Sequence, residues 1–199
     1  MGKPFFSDGM KIGLFGGSFN PPHAGHALVS ERLRTRLGLD WVWWLVSPQN
    51  PLKPEAPADA AERIAACREI AVTPKTYVSD EETQMGSNYT ADTIRTLKKS
   101  HSNVHFVWLM GADSLCDMHR WRSWRDIFRQ IPIAVYPRPG TTVRAGLSPA
   151  ASCFSRNRIH PDEAASLAGR RCPAWTLLEG VTSPLSSTQL RSVRSRTKK

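Results

Sequence analysis

KIGLFGGSFNPPHAGH, residues 11–26, is the stretch on which the fold reading turns. Residues 11–15 are strand-like and apolar after Lys11, Gly16-Gly17-Ser18 forms a turn, and a helical pattern follows from 25 to 37. A strand that passes through glycines directly into a helix is the opening unit of an α/β sheet. Glycines let the backbone approach a ligand closely, and the amides between strand end and helix start offer unpaired N–H donors to an anion. The turn is therefore read as a phosphate cradle. It lacks the Lys-Ser/Thr ending of a P-loop and does not match G-x-G-x-x-G, so neither of those fingerprints applies.

Working outward, apolar β-rich runs recur at 11–15, 41–46 (WVWWLV), 77–79, 104–110 (VHFVWLM), 131–136 (IPIAVY) and 174–178 (AWTLL). Helical spacing or composition fills 25–37, 60–71, 89–99, a segment around 121–129, and 187–196. Several strands are apolar on both parities, as in a parallel sheet covered on both faces. The expected fold is α/β, a doubly wound, mostly parallel, Rossmann-like sheet in one domain spanning 1–199, with a basic tail from about 194. Ligands of such sheets sit beyond the carboxyl ends of the strands, where strand order reverses. Two stretches, 47–59 with four prolines and 138–155 rich in Gly, Pro, Ser and Thr, read as exposed, mobile loops.

Composition limits the partners. The chain has 199 residues, 27 Lys+Arg against 17 Asp+Glu and a net charge of +10. Five of the basic residues lie in 191–199, which leaves 22 basic against 17 acidic side chains before them, so half of the excess is a tail. No run approaches the roughly 20 apolar residues that cross a bilayer, and no signal-peptide core precedes Gly16, so a cytoplasmic chain without membrane contact is expected. Cys67, Cys116, Cys153 and Cys172 form no C-x-x-C pair and read as free thiols.

His23 and His26, three apart at a helix start, admit three readings: a structural or capping pair, half of a metal site, or phosphate recognition. No Cys or carboxylate motif nearby completes a zinc site, and no metal-binding residues are assigned. The Gly-rich turn before them favours phosphate.

G-x-F-N-P-x-H-x-G-H, residues 17–26, resembles the G-x-F-D/N-P-x-H-x-G-H signature of the nucleotidyltransferase superfamily, and SSTQLR, 186–191, resembles its C-terminal S-S-T-x-I/L-R motif. The segments 42–53, 88–93, 111–114, Trp121 and 136–140 are similar, in order and spacing, to the bacterial nicotinate-nucleotide adenylyltransferase family. The resemblance covers nearly the whole chain and is weakest from 141 to 172, where no residue carries over. Asn20 stands where many members have Asp, which puts any role for a negative charge there in doubt.

The resemblance implies transfer of AMP from ATP to nicotinate mononucleotide, with Mg²⁺ carried on the ATP phosphates. His23, His26 and Arg191 would act on the phosphates during transfer, with Ser187 and Thr188 on the β,γ-phosphates. Gly17, Ser18 and Phe19 would line the nucleotide through their backbone, and Asp113 would accept from a ribose hydroxyl or cap the following helix. Trp121 would stack on the pyridine ring, Tyr89 and Thr90 would offer main-chain groups to its carboxylate, and Lys53 and Arg138 are candidates for the mononucleotide phosphate or carboxylate. Thr90 also suits an N-cap. Tryptophans 41, 43, 44 and 108, in the strand runs, read as core or partner-facing.

Nicotinamide mononucleotide and then phosphopantetheine are the alternative acceptors within the superfamily. A basic nucleic-acid-binding module is the alternative from another class; the modest basic excess outside the tail and the lack of a recognised motif argue against nucleic acid. Nothing in the sequence argues against a homo-oligomer.

Overall fold

The computed structural model describes residues 7–48, 57–79, 81–87 and 89–180. Among them six strands, β1 (Lys11–Gly17), β2 (Trp41–Val46), β3 (Thr76–Ser79), β4 (His105–Gly111), β5 (Ile133–Tyr136) and β6 (Trp175–Leu177), lie in the order β3-β2-β1-β4-β5-β6. Every pairing is parallel, as the two-parity apolar strands predict. The order reverses between β1 and β4, so the crevice beyond their carboxyl ends is where a ligand belongs.

The helices are α1 (Ala24–Leu37), α2 (Ala60–Ile70), the short α3 (Glu81–Gln84), α4 (Thr90–Ser100), α5 (Ala112–Asp117), α6 (Trp124–Gln130), α7 (Thr142–Gly146) and α8 (Pro149–Cys153). Alternation along the strands sends side chains to two cores. Ile12, Leu14, Trp43, Trp108 and Val135 meet Ile94 and Leu97 of α4, Phe128 of α6 and Ala145 of α7 on one face. Phe15, Trp44, Val46, Leu109 and Tyr136 meet Leu33 of α1 and Cys67 of α2 on the other. Local chemistry sets the helix ends: Gly38, at φ 60, closes α1 with its amide directed to Arg34 and Thr35, and the Asp59 carboxylate caps α2 at the amides of Ala61 and Glu62.

One expectation is corrected. The 138–155 stretch is not a mobile loop: α7 and α8 fold there, with Ala145, Ala150, Ala151 and Phe154 buried. Ser148 caps α8 ahead of Pro149, and small alanines let both helices pack closely on α5, so a loop-like composition encodes short helices. In the segment from 141 to 172, a 3₁₀ helix, Pro161–Gly169, places Ala164, Leu167 and Ala168 in the second core. The four cysteines are free thiols. Among the described residues no helix is long and apolar enough to cross a membrane. The tail from 194 lies outside the described residues.

Candidate active site

The turn from β1 into α1 is built by burial. Phe19 is 2% exposed, and its ring stacks on Trp44 of β2 with centroids 5.1 Å apart and planes 4° apart. Its backbone sits at φ 44, a left-handed conformation that costs a non-glycine residue about 1–2 kcal/mol. Burying the ring contributes roughly 1.5–3 kcal/mol and the stack roughly 0.5–1.5 kcal/mol beyond it, and together they offset that cost. Trp44 is itself fixed, since its indole N–H donates to Ser30 Oγ at 2.9 Å. On the opposite face of the sheet, Gly16 leaves room for Trp108, whose Cζ2 would lie 2.6 Å from a Cβ there. The indole nitrogen of Trp108 is buried without a hydrogen-bond partner.

The two histidines follow from this turn. The His23 amide donates to His26 Nδ1 at 3.1 Å, while the His26 amide donates to the His23 carbonyl at 2.8 Å. His26 thus closes the start of α1, and because its Nδ1 accepts, the neutral ring carries its proton on Nε2. The rings are 3.8 Å apart between centroids, and His26 lies edge-on to Phe19 at 5.0 Å. His23 is 5% exposed, and neither ring nitrogen has a hydrogen-bond partner. Burial first, and then the nearby Arg138 cation, hold its pKa below the ordinary value, so the ring is neutral near pH 7.

Across the switch point, Arg138 beyond β5 sets its Nε 3.3 Å from Asp113 Oδ1 in the first turn of α5. A Cβ on Gly111, at the end of β4, would meet both groups, at 2.5 Å from the carboxylate oxygen and 3.1 Å from the guanidinium. Gly111 is the N-cap of α5, so Asp113 is not the cap, and its carboxylate side chain is 52% exposed. Gly17, Ser18, Phe19, His23, His26, Asp113 and Arg138 therefore gather around the carboxyl ends of β1, β4 and β5.

A second grouping lies at the start of α4. Tyr89, not Thr90, occupies the N-cap position, and the Arg122 guanidinium lies 4.4 Å from the centre of its ring. Trp121, the residue before Arg122, is half-buried against the first core. Lys53, Ser187, Thr188 and Arg191 lie outside the described residues. Trp44, Trp108 and Arg122 carry no local signal, and only long-range packing brings Trp44 onto Phe19, Trp108 against Gly16 and Arg122 over Tyr89. Among the described residues no group of three or more His, Cys, Asp or Glu forms a metal cage.

Comparison with known proteins decides the family. A family model described as cytidylyltransferase-like matches residues 14–193. The chain is also 51% identical over 187 residues to the "Probable nicotinate-nucleotide adenylyltransferase" of Rhizobium meliloti (strain 1021), covering 94% of this chain and 100% of that one. The chain belongs to the cytidylyltransferase-like family, in its nicotinate-nucleotide adenylyltransferase branch. The protein of the same description from Methylorubrum extorquens (strain PA1) is 51% identical over 186 residues, with 92% of this chain and 100% of that one covered. A Plasmodium falciparum nicotinic acid mononucleotide adenylyltransferase, solved in complex with NaAD, has the same fold at a TM-score of 0.66 and 17% identity, over 95% of this chain and 89% of that one. As a member of this nucleotidyltransferase family the chain is an enzyme.

Proposed function

We propose that the chain transfers the adenylyl group of ATP to nicotinate mononucleotide, yielding nicotinate adenine dinucleotide and pyrophosphate. The observation that carries this reading is the His23–His26 arrangement: a neutral, unpartnered imidazole beside one whose proton is directed to Nε2, at the mouth of a parallel sheet. The acceptor's 5′-phosphate is itself the nucleophile and is largely dianionic near neutral pH, with a second pKa of about 6, so no protein base is needed. The site's task is to align two polyanions and offset the charge that grows on the α-phosphate and the leaving pyrophosphate. Donors fixed before reaction do this without reorganising.

In this reading His26 donates from Nε2 to the transferred α-phosphate, His23 binds a neighbouring phosphoryl oxygen, and Arg138 serves the attacking phosphate. Gly17, Ser18 and Phe19 line the nucleotide through backbone groups, and Asp113 accepts from the ribose. Ser187, Thr188 and Arg191 take the β,γ-phosphates. Tyr89, Thr90 and Trp121 hold the pyridine, and Lys53 adds a cation for the mononucleotide. Mg²⁺ arrives on the ATP phosphates as a substrate-borne cation and neutralises part of their charge. The protein is expected to work without nucleic acid or membrane, and a homo-oligomer is compatible with the reading.

The test is pyrophosphate release from Mg²⁺-ATP with each candidate acceptor. Nicotinate mononucleotide is expected to react much faster than the nicotinamide form, and phosphopantetheine not at all. Equal or reversed preference between the pyridine nucleotides overturns the acceptor assignment.

A further inference from the structure

Arg63 lies in the second turn of α2 and is 3% exposed. Its guanidinium donates four hydrogen bonds, all to backbone carbonyls: Nε to Ala58 at 2.8 Å, Nη1 to Ser18 and Ser47 at 2.7 Å each, and Nη2 to Pro48 at 2.9 Å. No carboxylate pairs with it among the described residues. A buried cation held only by carbonyls is costly to desolvate, and that cost lowers its pKa.

The place of those carbonyls explains the arrangement. The β1–β2 ladder ends at the Gly17–Val46 pair, closed by the Ser47 amide donating to the Gly17 carbonyl at 2.9 Å. Beyond it the strands diverge, one into the strained turn at Phe19 and the other toward Pro48. Arg63 spans this gap, and its Nη1 grips both chains at once, where the ladder can no longer do so. A planar fork with donors in fixed directions can hold three segments in one geometry; a lysine ammonium, a point on a flexible stem, cannot.

We infer that Arg63 is a positioning residue for the ATP side of the reaction: it sets the Ser18–Phe19 turn against the end of β2 and thereby orients the backbone that the nucleotide meets. It touches no reacting atom. The inference rests on the adenylyl-transfer reading above.

The test compares Arg63→Lys and Arg63→Met with the wild-type chain. For each, KM and kcat toward ATP and toward nicotinate mononucleotide, thermal melting, and equilibrium binding of a non-hydrolysable ATP analogue are measured. In Arg63→Lys, kcat/KM for ATP is expected to fall by at least about tenfold, as for a misplaced binding group. Analogue binding should weaken in parallel and KM for the mononucleotide stay close to wild type, while the melting temperature falls because buried carbonyls lose their donors. Arg63→Met should lose as much analogue affinity or more. Wild-type KM for ATP and wild-type analogue binding in Arg63→Lys overturn the inference. So does a variant that only melts earlier, with less active protein but unchanged KM values. If the wild-type chain binds the analogue yet transfers no adenylyl group, the functional reading fails, while the binding arm still reports on Arg63.

Discussion

The exits of β1 and β4 face each other across the switch point, yet they are built in opposite ways. The β1 exit is interior: Phe19, His23 and Arg63 are each at most 5% exposed, with one ring stacked on Trp44 and four carbonyl bonds behind it. The β4 exit is held by one ion pair between Arg138 and Asp113, whose side chains are 23% and 52% exposed. Such a pair is worth at most about 1 kcal/mol and can be exchanged for a ligand's charge at little cost. The contrast divides the work. In the adenylyl-transfer reading proposed above, burial gives the first exit fixed donors for the transferring phosphate, and exposure gives the second a charge that adapts to its substrate.

The largest break in this picture comes from His26→Ala. Loss of one pre-aimed donor should lower turnover by about a hundredfold or more, measured as steady-state pyrophosphate release. Loss of the contact to the His23 amide should cost only about 1 kcal/mol in a denaturant melt. Near-wild-type turnover would mean that the buried exit is not where the phosphate reacts. Next is Gly16→Ala, whose added methyl points into the first core rather than along the turn. Its Cβ would overlap the Trp108 indole, a rigid ring 2% exposed, and overpacking of this kind costs about 1–3 kcal/mol. A melt unchanged by the substitution would show that the β1 exit is looser than its packing implies.

How much of this could be read in advance follows the same division. Strands such as 41–46, apolar on both parities, announce a parallel sheet, and the His23–His26 spacing after a Gly-rich turn announces the anion site, because both signals are local. Arg63 carries no such signal. In AAERIAAC it looks like a solvated helix residue, and its burial depends on carbonyls up to 45 positions away along the chain. Trp44 likewise reads as one more strand aromatic until Phe19 turns back onto it. The 138–155 stretch misleads for a different reason. Its Gly, Pro and Ser residues are turn formers by composition, but Ser148-Pro149 is a helix start, and only packing against α5 selects that use.

The smallest effect tests whether the two exits communicate. Arg138 is the second cause, after burial, of the depressed pKa of His23. Arg138→Gln removes a cation and leaves the burial, so the His23 titration, followed by imidazole NMR, should move upward and still end below the ordinary value of 6.5. The sign carries into stability. A histidine kept neutral by the fold costs nothing above pH 6.5, where the unfolded chain is neutral too. As pH falls from 6.5 toward the folded pKa, only the unfolded chain takes up the proton, and stability is lost. With Arg138 gone that window narrows, so the variant should lose less stability than the wild type over the same acid range. An unmoved His23 titration would leave the exposed exit without electrostatic reach into the buried one, and the two would act on their substrates independently.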